Sequence, residues 1–298
     1  MPLPRSQPPA PFYISPVFPA FSSPPPPFLD FDFMTTRPSS SILLPALLAC
    51  LGFLSAGCLH LPVSQEPAPP VVARRVESLV VDARQGDKAW EGASPITLLL
   101  YDPAEGMPEK SVQAVHAQPC PVKATVRLLH DEKNLYVGCQ VENDDICSLV
   151  PQDQLFHFFL GDVMEVFLKP KEGNAYLELY ATPSGHKTTY FFPSRSWGGV
   201  DFLALQKVLP EMKVAAEVEG TLNDSSDRDS CWRAVMTIPK ALVEEKTGVP
   251  LAPGRGWQIL LAGYSRSSYR TYAVNFSYPL LPALNFHLHE YWGELVLE

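Results

Sequence analysis

The sequence predicts an all-β protein, a β-sandwich of the immunoglobulin or jelly-roll kind with one short helix. Three observations carry this. Short runs rich in β-branched, aliphatic and aromatic residues recur from about Ser78 onward, clusters of Asp, Asn, Gly and Pro punctuate them, and a single segment reads as helical. Ala124–His130 and Leu135–Val141 flank Asp131-Glu-Lys-Asn134 and make a hairpin. Asp162–Leu168 alternates, with Val163, Glu165 and Phe167 on one face and Met164, Val166 and Leu168 on the other. Ala175–Ala181 and His186–Phe192 pair across the turn Thr182-Pro-Ser-Gly185. Lys213–Glu219, Cys231–Ile238, Trp257–Tyr264 and Gly293–Leu297 supply the later strands. The helix is Lys240–Thr247, opened after Pro239 and closed by Gly248.

This reading covers only part of the 298 residues. Seventeen of the 32 prolines fall in the first 70 residues, and 11 of them in residues 1–33. A tract so rich in proline holds neither a helix nor a central strand, so residues 1–33 read as a disordered extension. From Val71 onward 21 basic residues face 29 acidic ones without a basic run, which argues against nucleic acid as a partner.

Met34-Thr-Thr-Arg37, the apolar run Ile42–Leu54 and the small residues before Cys58 have the layout of a secretory signal. The apolar run is too short to span a bilayer, which takes about 20 residues. Ala56-Gly57-Cys58 resembles the bacterial lipobox, with Ser55 where leucine is usual. The resemblance implies that residues 34–57 are a lipoprotein signal peptide and that Cys58 is acylated, which anchors an exported protein to the lipid bilayer of the bacterial envelope. Signal peptides begin at the initiator methionine, so translation is expected to start at Met34, leaving residues 1–33 untranslated. Residues 58–77 then form a stiff proline-rich tether, and 78–298 the folded domain. Cys120, Cys139, Cys147 and Cys231 remain in the domain, either as free thiols or as disulfides in one of three pairings.

Five strings, taken in order, resemble the family 9 carbohydrate-binding modules and their DOMON-like relatives. They are Val81-Asp82 with Asp87-Lys-Ala-Trp90; Ala124–Val141 with Asp144-Asp145; Gly161-Asp162-Val-Met-Glu165-Val-Phe167; Trp232–Pro239; and Asn285-Phe-His287-Leu-His289-Glu-Tyr-Trp-Gly293. The resemblance implies a β-sandwich that holds the end of a sugar chain between two aromatic rings. The first ring falls at or next to Phe159 and the second at Phe286, with Glu165 as the acceptor for sugar hydroxyls. Glu178 stands where binders carry arginine, which replaces a fork of donors with a second acceptor. Trp197, in a polar glycine-containing loop, is a further candidate for ligand contact. Trp90, Trp232 and Trp257 are expected in the core.

Asp144, Asp145 and Asp162 offer oxygen ligands of the kind calcium prefers, although their spacing fits no EF-hand loop; no cofactor is otherwise required. His287 and His289, two apart, point the same way in an extended segment and could share a metal. No nucleophile elbow, P-loop, zincin or dinucleotide motif occurs, so no enzymatic activity is expected. Glu165 and Glu178 would act as a glycosidase pair only at a separation that sequence cannot supply. The leading expectation is therefore non-catalytic binding of oligo- or polysaccharide, in support of polysaccharide capture or of partner glycoside hydrolases. The alternatives are a haem b module ligated by Met164 with His287 or His289, and a structural envelope domain that has lost its sugar.

Overall fold

The structure, a computed structural model, describes residues 67–105, 107–117, 120–195, 211–270 and 272–298. The strands among them are β1 (Val71–Arg75), β2 (Ile96–Thr97), β3 (Leu99–Leu100), β4 (Lys123–His130), β5 (Asn134–Glu142), β6 (Val163–Pro170) and β7 (Tyr176–Ala181). They continue with β8 (Lys187–Phe192), β9 (Lys213–Glu219), β10 (Cys231–Pro239), β11 (Trp257–Ser265), β12 (Val274–Tyr278) and β13 (Gly293–Leu297). Three α-helices accompany them: α1 (Glu109–His116), α2 (His157–Leu160) and α3 (Lys240–Thr247).

The strands follow one another in the order β8-β7-β6-β11-β13-β1-β4-β5-β10-β9, a mixed sheet folded into two facing layers. Met164, Val166 and Leu168 of β6, Leu177 and Leu179 of β7, and Ile259 and Leu261 of β11 share one buried cluster with Val126 and Leu128 of β4, Val137 of β5, and Ala234 and Met236 of β10. That cluster fills the space between the layers, and Trp232 and Trp257 lie fully buried in it, as expected. Trp90 packs with Leu129, Tyr136 and Val235 on the outer face of the β4-β5-β10 layer. The outer face of the β6-β7-β8 layer carries a third cluster, built mainly of aromatic rings with Val163, Leu260, Ala262 and Leu281 among them.

Register follows from this division. A one-residue slip of β6 would carry Glu165 into the apolar interior and turn Met164 outward, so the pairing is tightly specified. The β4–β5 hairpin is fixed locally: Asp131 accepts from the backbone N–H of Lys133 and of Asn134, at 2.7 Å each, and from the Tyr136 hydroxyl at 2.7 Å. Gly263 of β11 lies where a Cβ would come within 2.5 Å of Val163 O and 2.4 Å of the Phe276 ring, so β6, β11 and β12 close on a residue without a side chain.

The structure differs from the sequence expectation at the start of the domain, in its helices and in the added strands β2, β3 and β12. The β-sandwich begins within the stretch assigned to the tether, because Val71 and Ala73 alternate inward and β1 runs parallel to both β13 and β4. The prolines at 67, 69 and 70 stop just before that strand, where proline is tolerated. Two helices join the expected one. α1 follows Pro108 with an acid in its first turn and a histidine in its last, a helix signature in the sequence, while α2 is a single turn with no such signal. Cys120, Cys139, Cys147 and Cys231 are all free thiols. Burial pushes the Cys139 thiol up to about 12, which makes it inert.

Candidate functional site

The aromatic outer face of the β6-β7-β8 layer holds the site. Alternation brings Glu165 and Phe167 of β6, Glu178 and Tyr180 of β7, and Tyr264 of β11 to this side. Cross-strand register sets Glu165 opposite Tyr180 and Phe167 opposite Glu178, which makes the two glutamates diagonal neighbours. A loop covers them. Phe286 packs its ring against Tyr264, Tyr101 and Phe167 at centroid distances of 5.4, 6.1 and 6.1 Å, and its carbonyl accepts from Trp292 Nε1 at 2.9 Å. His287 is tied to the Tyr176 hydroxyl through Nδ1 at 2.8 Å, and its backbone N–H donates to Asn285 Oδ1 at 3.0 Å.

The α2 turn closes the other side. His157 bonds Thr188 Oγ1 at 2.7 Å and Gln152 O at 3.1 Å, while Arg266 Nε donates to Phe158 O at 2.7 Å. These contacts set the Phe158 ring 6.3 Å from Tyr180 and 6.1 Å from Tyr264. The result is a cavity of about 160 Å³ lined by Phe158, Glu165, Phe167, Glu178, Tyr180, Tyr264, Leu284, Asn285, Phe286 and His287. That is small beside the roughly 300–1,000 Å³ of drug-sized sites, and it suits one ring or one chain end.

The electrostatics are unusual for so apolar a surface. Glu165 and Glu178 are 1% and 4% exposed, and the Tyr180 hydroxyl donates to Glu178 Oε1. Glu165 Oε1 and Glu178 Oε2 are buried without a partner among the described residues. Burial raises both carboxyls, Glu178 to about 7, and the neighbouring Glu178 charge drives Glu165 further up. Burial and the two glutamates likewise raise the Tyr180 and Tyr264 phenols. Burial pulls His287 down to about 4, so it is neutral at pH 7. Lys169, two positions beyond Phe167 on the same face, turns to Pro170 O and Gln258 Oε1 at 3.0 and 3.3 Å.

Of the residues singled out from sequence, Glu165, Glu178 and Phe286 meet in this cavity. Phe159 does not line it: its ring is 59% exposed, and the adjacent Phe158 takes the inward position, the two rings lying 4.1 Å apart. Trp197 and the lipidation residue Cys58 fall outside the described residues. Tyr180 and Tyr264 went unrecognised in the sequence, although period-two alternation from Glu178 already puts Tyr180 on the glutamate face.

The metal and haem expectations meet a different geometry. Asp162 accepts from Asn143 Nδ2 at 2.8 Å and from the Arg266 N–H at 2.6 Å, and burial pushes its carboxyl up to about 7. Asp145 accepts from Ser267 Oγ, Ser268 N and Ser268 Oγ at 2.6–2.8 Å, while Asp144 is engaged by Tyr269 and Arg228. These carboxylates close loops by accepting protein hydrogen bonds, and among the described residues no three His, Cys, Asp or Glu side chains gather as ligands. Met164 lies in the core between the layers, whereas His287 and His289 both pack against Tyr176 on the outer face of the same sheet, so neither can join Met164 as an axial ligand of one haem.

A larger cavity of about 750 Å³ lies beside α3, but no buried side-chain polar atom on its described wall lacks a partner, and Lys240 Nζ bonds Asp131 O at 2.6 Å and His130 Nδ1 at 2.9 Å. Unpartnered buried carboxylates, rather than volume, mark the smaller cavity as the site.

No protein-family model and no curated protein matches the chain. Among solved structures it is similar to a candidate carbohydrate-binding protein from Bacteroides uniformis, with 13% identity and a TM-score of 0.56 over 78% of this chain and 100% of that one. It is also similar to a carbohydrate binding module of family 9 from Caldicellulosiruptor kristjanssonii in complex with cellotriose, with 13% identity, a TM-score of 0.48 and coverage of 77% and 94%. The family 9 module from that organism in complex with glucose matches at 14% identity and a TM-score of 0.43, with coverage of 76% and 95%. The chain has the β-sandwich fold of the Bacteroides uniformis protein, and family 9 modules stand among its structural neighbours.

Proposed function

We propose that the protein binds carbohydrate without cleaving it, taking the terminal ring of a glycan into the cavity on the β6-β7-β8 face. One observation carries the reading: an aromatic-walled cavity the size of a single ring is lined by two buried glutamates, each with one carboxylate oxygen that lacks a donor among the described residues. Sugar hydroxyls are donors, and hydrogen bonds to carboxylate are about twice as strong as neutral ones, which offsets the desolvation of both partners. Phe158 and Phe286 offer apolar faces to sugar C–H groups. The fold shared with the Bacteroides uniformis protein supports the same reading.

Buried, raised carboxyls at diagonal positions also occur in glycosidases, but hydrolysis needs room for a ring on each side of the scissile bond. A cavity of about 160 Å³ holds one side of such a bond. Within the larger reading the protein is an exported lipoprotein, acylated at Cys58, that holds glycan at the envelope and serves glycoside hydrolases there.

Isothermal titration against a panel of mono- and oligosaccharides tests the site. Saturable binding that Phe286→Ala or Glu165→Ala abolishes is expected, with no shortening of the oligosaccharides on prolonged incubation. Binding that is indifferent to both changes would remove the site from consideration.

A further inference from the structure

The cavity wall buries two acidic groups to which a neutral sugar would bring no counter-charge. Among the described residues, the Glu165 carboxyl feels the Glu178 charge and the Tyr180 hydroxyl, and the Glu178 carboxyl the Tyr180 hydroxyl; no described lysine or arginine acts on either. Lys169 is committed to Pro170 and Gln258, and Arg266 to the Phe158 carbonyl. His287, the remaining basic group on the cavity wall, is bonded to the Tyr176 hydroxyl. Two acidic groups therefore lie buried side by side, each with one oxygen that has no partner among the described residues. Hydroxyl donors would satisfy the lone pairs, but burial and the nearness of the two groups would still hold both carboxyls toward the protonated form.

One ammonium group resolves both at once. It supplies three donors and a positive charge, and charge-assisted bonds to two carboxylates are the strong class of hydrogen bond. The walls favour the same occupant, because Phe158, Phe286, Tyr180 and Tyr264 surround the pair with aromatic rings, whose faces attract cations, most strongly where water is excluded. A phosphate, sulfate or uronate would face two acceptors and no donor of opposite charge.

We propose that the site selects a sugar ring carrying a free primary amine, a hexosamine unit, with its ammonium group held between Glu165 and Glu178. This rests on the carbohydrate-binding reading above and names its ligand class. The glutamate in the place of an arginine then determines which sugar is held: a basic residue there would repel the ligand that Glu178 attracts.

The test is titration calorimetry on the full chain at pH 7 with glucosamine, glucose and N-acetylglucosamine. The last keeps the nitrogen but not its charge. Glucosamine is expected to bind about tenfold or more tighter than either of the others, since each factor of ten needs only about 1.4 kcal/mol and a desolvated ion pair supplies that. Glu178→Gln and Glu165→Gln, which keep side-chain volume, are each expected to bring glucosamine affinity down to that of glucose measured on the same variant. Equal affinity for glucosamine and glucose in the wild type would overturn the ammonium assignment and leave sugar binding standing, whereas failure of all three sugars to bind would overturn both. A preference that survives both substitutions would place the cation elsewhere. The wild-type comparison stands by itself if either variant does not fold.

Discussion

Replacing Glu178 by glutamine should stabilise the protein, and increasingly so as pH rises. The side chain is 4% exposed, Tyr180 donates to one oxygen and the other has no partner. Burial lifts the carboxyl from 4.5 to about 7, so between those values the folded state keeps a proton that the unfolded chain has already released. Stability contributed by this group is therefore present below pH 4.5 and lost progressively up to about pH 7. At about 1.4 kcal/mol per pH unit the loss reaches roughly 3 kcal/mol. Glutamine keeps the volume and the acceptor for Tyr180 but never ionises. Urea denaturation of both proteins at intervals from about pH 4.5 to pH 8.5 should give nearly equal stability at the acid end, with the variant ahead by roughly 3 kcal/mol at the alkaline end. Asp162, raised to about 7, adds a slope of the same sign, while His157 and His287, pulled down to about 4, add the opposite one. These contributions are common to both proteins and cancel in the difference. A difference that does not change with pH would refute the argument that a buried, donor-poor carboxylate sits at this position.

Three further outcomes follow from the packing. Gly263→Ala should destabilise by about 1–3 kcal/mol or more, read by thermal or urea melting, because its Cβ would meet the Val163 carbonyl at 2.5 Å; a neutral result would contradict the close approach of β6 and β11. Asp145→Ala should cost about 3 kcal/mol by removing the acceptor of three hydrogen bonds, while excess chelator should leave the wild-type melting temperature unmoved; a fall reversed by calcium would show that the loop carboxylates hold an ion. A thiol reagent should modify Cys120 rapidly in the native domain and Cys139 and Cys231 only on denaturation, and failure to titrate all of them in denaturant would point to a disulfide.

The strands were legible because their signal is local. Glu165 and Phe167 alternate with Met164, Val166 and Leu168 over a whole strand, so the sequence alone assigns the two faces that the structure shows. The pocket was half legible for the same reason: a strand residue such as Glu165 has its direction set by parity, whereas Phe158 and Phe159 sit on a single helical turn. Which of these two rings points inward depends on Arg266 reaching the Phe158 carbonyl from more than a hundred residues away. The aspartates show the converse limit. Their composition suits calcium, but the serine, tyrosine and arginine donors that occupy them come from positions that no local pattern links to Asp144 or Asp145. β1 escaped notice because its partners are the last strand and the fourth, and five residues carry little periodicity.

The placement of β1 has a mechanical consequence. β1 and β13, the first and last strands, lie side by side and parallel, with Val71, Val72 and Ala73 opposite Leu295, Val296 and Leu297, and the Glu298 N–H donating to Ala73 O. A pull that separates the N-terminal end of β1 from the C-terminal end of β13 runs along both strands in opposite senses. It loads their hydrogen bonds together in shear instead of peeling them one after another. With β4 gripping the other edge of β1, a tension arriving through residues 67–70 is spread across two ladders before it reaches β6 and β7 and the cavity on their outer face.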